Sequence, residues 1–92
     1  MFMGKVIGSV WSTQKETGME NLKLLLVQPF DANDRAINNV VVAADRIGAG
    51  VGERVIVAQG SPARILFDQK VTPVDAVVVG IVDSYEMIVE TS

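Results

Sequence analysis

Short runs of β-branched and other apolar residues, broken by Gly, Pro, Asn and Asp, run the length of the chain, and no window sustains a helical period over three turns. This pattern predicts an all-β fold, with strands over residues 3–12, 22–28, 38–44, 53–59 and 75–83 and a weaker sixth over 86–90. Residues 13–21 form a polar connection, and 29–36 carry Asp31, Asn33 and Asp34, which favour turns by bonding their own backbone. The helix candidate is 61–67: Ser61 can cap it, and Pro62 suits the first helical position because its missing N–H has no partner there anyway. Five strands and one short helix predict a small OB-like barrel, since closure removes exposed strand edges.

The length of 92 residues confines this pattern to one domain, residues 1–92. A hydrophobic share of 49% is more than so small an interior readily absorbs, so part of it is expected to meet another subunit. The longest apolar runs fall far short of the roughly 20 residues needed to span a bilayer. The start of the chain lacks the charged, apolar and small-residue regions of a secretory signal. No membrane partner and a cytoplasmic location are therefore expected.

Composition narrows the chemistry. With no cysteine and no histidine, the chain lacks thiolate metal ligands, Ser-His and Cys-His nucleophile systems, and the side chain best suited to proton transfer near neutrality. No cofactor, metal site or catalytic residue is predicted. A net charge of -3 has the wrong sign for holding nucleic acid by its phosphates. Lys5, Lys15, Lys23, Arg35, Arg46, Arg54, Arg64 and Lys70 are scattered singly, and the aromatics are Phe2, Trp11, Phe30, Phe67 and Tyr85. An OB barrel that binds single strands needs stacking platforms in a positive groove. That reading is retained only as the alternative.

Local motifs favour structure over chemistry. Gly48-Ala49-Gly50-Val51-Gly52 lacks both the Lys-Ser/Thr of a P-loop and the following helix of a dinucleotide fingerprint. Its three glycines instead provide positive φ and close backbone approach. Asp31, Asn33 and Asp34 resemble a calcium loop, but the next ligand position falls on Arg35 and the required Gly is missing. Asp75 and Asp83 share a strand face yet stand roughly 26 Å apart, too far for an acid and base pair. They read as strand-end residues.

In this order and spacing, several segments resemble the EutN/CcmL family of microcompartment vertex proteins: Gly4-Lys5-Val6-Ile7-Gly8-Ser9-Val10-Trp11-Ser12-Thr13, Lys23-Leu24-Leu25-Leu26-Val27-Gln28-Pro29, and Val42-Ala43-Ala44-Asp45-Arg46-Ile47-Gly48-Ala49-Gly50-Val51-Gly52-Glu53. Gly60-Ser61-Pro62-Ala63-Arg64, Pro73-Val74-Asp75-Ala76 and Gly80-Ile81-Val82-Asp83 extend the likeness over most of the chain. The resemblance implies an OB-like barrel assembling as a cyclic homopentamer at the corners of a polyhedral shell, beside hexameric shell proteins, with no enzymatic activity. It makes Asp45, Gly48, Ala49, Gly50, Gly52, Gly60, Ser61 and Arg64 candidates for the subunit interface or a central pore. Two departures affect loop shape: Pro62 stands where the family commonly has a small polar residue, and Glu20-Asn21 replaces a glycine often found before the second strand. The nine residues after Asp83 leave little room for a tail reaching a neighbour.

Overall fold

The computed structural model describes residues 1–10, 23–60 and 75–83. Within them the chain forms β1 (Phe2–Val10), β2 (Lys23–Pro29), β3 (Val41–Asp45), β4 (Arg54–Gln59) and β5 (Ala76–Val82). These close into a barrel in the order β1-β2-β3-β5-β4, with β4 returning to pair with β1. All pairs are antiparallel except β3 with β5. The expected helix over 61–67 and the sixth strand over 86–90 lie outside the described residues.

Alternation along each strand sends every second side chain inward. The interior is built from Val6 on β1, Leu25 and Val27 on β2, Ala43 on β3, Val55 and Val57 on β4, and Ala76 and Val78 on β5, joined by Ala49 from the β3–β4 connection. Leu24, Ala44, Ala58 and Val77 form a second buried cluster on the opposite faces of the same strands, with Val10 packed against it. Small branched side chains suit so narrow a barrel, and Gly4 allows an even closer approach. A Cβ added there would overlap Val27 Cγ1 and stand 3.0 Å from Gln28 O.

Two irregularities bend the sheet. Between Val6↔Val27 and Gly8↔Leu26 the extra residue on β1 is Ile7, and between Val57↔Val78 and Ile56↔Gly80 the extra residue on β5 is Val79. Bulges of this kind increase local twist and help a short sheet to close. Both side chains remain substantially exposed.

The predicted third strand is shifted. It spans Val41–Asp45 instead of 38–44, because Asn38 has φ 62° and the Gln28 side chain donates to the carbonyls of Ile37 and Asn38. Those contacts hold 37–38 in a loop, and ladder pairing with β2 begins only at Val41↔Val27. The first strand starts one residue before its expected position, and the last is one residue shorter at each end.

Candidate functional site

The segment from Asp45 to Glu53 joins β3 to β4 and is organised around one carboxylate. Asp45 is the last residue of β3, and its side chain is fully buried. Its Oδ1 accepts from the N–H groups of Ile47 at 3.0 Å and Gly48 at 3.1 Å, while Oδ2 accepts from the N–H of Ala49 at 2.8 Å. Lys23 Nζ lies 3.7 Å from Oδ2 and also donates to Ala49 O at 3.0 Å. A buried charge is costly unless paired and hydrogen-bonded, and Asp45 meets both conditions.

The second half of the loop is tied down from the other end. Gly50 N donates to Glu53 Oε1 at 2.6 Å, and Glu53 N returns a bond to Gly50 O at 3.1 Å. Gly52 N donates to Val6 O at 2.8 Å and Val6 N to Glu53 O at 2.9 Å, stitching the loop to β1. Ala49 is thereby pulled into the barrel interior, with Ile47 and Val51 left projecting outward at 48% and 66% exposure.

The glycines divide by role. Gly48 and Gly52 have φ of 88° and 93°, a region costly for residues with a Cβ. Gly50 does not share that conformation, so the expectation of positive φ at all three loop glycines is corrected to two. A Cβ on Gly50 would meet Glu53 Oε1 at 3.4 Å, an ordinary contact. Gly60 closes β4 with φ 74° and donates to Asp75 O at 2.8 Å. Ser61 and Arg64 lie outside the described residues.

The remaining candidates also serve the backbone. Asp31 Oδ1 accepts from the N–H groups of Asn33 at 2.8 Å and Arg35 at 3.0 Å, which makes the 31–35 segment a turn. Asp75 and Asp83 flank β5. Among the described residues no group of three or more His, Cys, Asp or Glu is placed to hold a metal ion. Along the sequence Lys23 and Arg54 are two of the singly scattered cations. The fold instead brings Lys23 to Asp45 and Arg54 to Asp34, and the signal for either pairing is the strand register, which adjacent residues do not reveal.

The buried carboxylate of the principal loop is committed to the loop's own backbone and to Lys23, an arrangement that holds the β3–β4 connection in shape. The family model described as "Ethanolamine utilisation protein EutN/carboxysome" matches residues 1–83, and the chain belongs to this EutN/CcmL family. It is 44% identical over 84 residues to the carboxysome shell vertex protein CcmL of Synechococcus elongatus, covering 91% of this chain and 85% of that protein. It is 42% identical over 88 residues to the bacterial microcompartment shell vertex protein GrpN of Rhodospirillum rubrum, covering 96% and 99%. The solved structure of the GrpN pentameric microcompartment shell protein superposes with a TM-score of 0.86 at 42% identity, over 96% of this chain and 100% of that one. Gloeobacter violaceus CcmL gives 0.87 at 42% identity, over 95% and 90%.

Proposed function

We propose that five copies of this chain close into a ring that forms the vertex of a polyhedral microcompartment shell in the cytoplasm, a structural role without catalysis. The observation that carries this reading is the likeness, over nearly the whole of both chains, to a pentameric shell protein. The relatives are named as shell vertex proteins, which supports a structural part and lends nothing to the nucleic-acid alternative. Physically, a ring of identical subunits uses one heterologous interface that closes on itself, and such an interface needs apolar surface left over by the monomer. Val42, Ile47, Val51 and Val79 provide it, each at least 38% exposed.

In this reading the Asp45 to Glu53 loop presents its apolar rim to an adjacent subunit or to the fivefold axis. Its buried carboxylate keeps that rim in one conformation, so little ordering cost remains at assembly. Gly60, Ser61 and Arg64 belong to the same interface set, and hexameric shell proteins are the flanking partners. Native mass spectrometry tests the ring, and electron microscopy of shells lacking this chain tests the vertex role. Pentamers are expected in the first and open or elongated shells in the second; monomers alone, or shells that close normally with no other vertex protein present, would refute it.

A further inference from the structure

Lys23 opens β2 directly opposite Asp45, the residue that ends β3, so the two are register partners at one end of the barrel. Their surroundings differ. The Asp45 side chain is fully buried, whereas that of Lys23 is 51% exposed. The ammonium nevertheless holds the loop twice: Nζ lies 3.7 Å from Asp45 Oδ2 and donates to Ala49 O at 3.0 Å. One solvent-accessible amine thus reaches both the carboxylate that organises residues 47–49 and the backbone of the residue whose methyl group fills the core.

Among the described residues Lys23 is the cation that pairs with Asp45. Removing the partner of a buried charge is strongly destabilising, because the charge is left desolvated and uncompensated. Three N–H groups would still face the carboxylate, but they belong to the short segment whose shape makes them converge. The far half of the loop has separate ties, from Gly52 N to Val6 O at 2.8 Å and from Val6 N to Glu53 O at 2.9 Å. The barrel is closed by its own ladders, with β4 paired to both β1 and β5. Loss of the ammonium therefore falls on residues 46–49 and not on the strands.

We propose that Lys23 is a solvent-side latch on the β3–β4 loop: its positive charge keeps residues 46–49 closed on Asp45, and neutralising that charge releases them while the barrel stays folded. An acyl group on Nζ, which removes the charge, would act in the same way. The consequence for assembly rests on the ring reading above. Ile47 projects from the latched segment at 48% exposure. A released loop that meets a neighbour must be ordered again on association, and that ordering costs affinity. Lys23 is then a positioning residue for the ring, acting through Asp45 without itself having to touch the adjacent subunit.

The test is amide hydrogen exchange on the purified full chain, with native mass spectrometry recording its assembly state. In Lys23→Met, which keeps the aliphatic stem, the N–H groups of Ile47, Gly48 and Ala49 should exchange about tenfold or more faster than in the parent, both compared in the same assembly state. Those of Val6 and Gly52 should change by less than about threefold. Lys23→Arg keeps the charge and should stay near the parent at all of these amides. Association of Lys23→Met subunits should weaken about tenfold. Faster exchange at 47–49 with unchanged association would uphold the latch and remove this loop from the ring contact. A monomeric parent would sink the ring reading, and the exchange comparison would still decide the latch. Unchanged exchange at 47–49 in Lys23→Met overturns the proposal, as does an equal rise at Val6 and Gly52, or a Lys23→Arg variant as open as Lys23→Met.

Discussion

Asp45 Oδ2 accepts the N–H of Ala49 at 2.8 Å, and this bond joins the end of β3 to a residue whose own side chain lies wholly inside the barrel. The loop is thus anchored at both levels, by a carboxylate on its backbone and by a methyl group in the core. Lys23, reaching from β2 to both Asp45 and Ala49 O, closes the arrangement on a third side.

Asp45→Asn tests that anchor. The amide can keep the bonds at one oxygen, but it turns an NH₂ group toward the Ala49 N–H or rotates to abandon the other pair. Hydrogen bonds to charged groups contribute about 1.5–3 kcal/mol each, and an unsatisfied buried donor adds a further cost. A loss of about 2–4 kcal/mol is expected in chemical denaturation at fixed protein concentration. A loss below about 0.5 kcal/mol would mean that the loop is held by its ends and not by the carboxylate.

The loop glycines separate two explanations of the same motif. At Gly48 and Gly52 an added Cβ meets no atom within 4 Å, so any penalty for alanine is conformational. The left-handed conformation costs residues with a Cβ about 1–2 kcal/mol. Gly48→Ala and Gly52→Ala should each lose that amount, while Gly50→Ala should lose clearly less. Equal losses at all three positions would point to crowding in the assembled ring instead of backbone strain.

Strand placement was legible because the apolar runs 24–27, 55–58 and 76–79 are ended by Pro29, Gly60 and Gly80, and the fold then turns Leu25, Val27, Val55, Val57, Ala76 and Val78 inward. Turn chemistry was legible at Asp31, since an Asx turn depends on residues close in sequence. The β3 boundary was not, because Asn38 and Val40 read as strand until the Gln28 side chain claims the nearby carbonyls. Asp45 was singled out through the family resemblance, but its physical role depends on three N–H groups converging after the chain turns. Lys5 and Arg54 meet only through barrel closure between β1 and β4, a long-range pairing that no local pattern encodes.

Gly4 offers a test of the barrel itself. Its added Cβ would overlap the Val27 side chain and approach a backbone oxygen that cannot move without disturbing β2. Overpacking a well-filled core costs typically about 1–3 kcal/mol. Gly4→Ala should fall in that range, and Gly4→Ala combined with Val27→Ala should recover part of the loss despite the cavity term. If the single substitution is neutral, the β1–β2 approach is looser than the fold implies.

The exposed apolar side chains separate folding from assembly. Val51 stands 66% exposed at the loop tip and Val42 50% exposed on β3, so in the isolated subunit a charge at either position meets water. In a ring that covers these residues, the same charge would be stripped of water without a partner, a cost of several kcal/mol. Val42→Asp and Val51→Asp should therefore keep the parent's far-ultraviolet circular dichroism while native mass spectrometry shows a shift from pentamer toward monomer. The shift should be larger for whichever residue lies nearer the centre of the contact, because central, fully desolvated positions dominate interface energetics. If both variants remain pentameric at micromolar concentration, neither Val42 nor Val51 is covered in the ring, and the interface must be sought around Ile47 and Val79. If instead both lose their circular dichroism, the side chains belong to the fold of the subunit, and their exposure does not mark an interface.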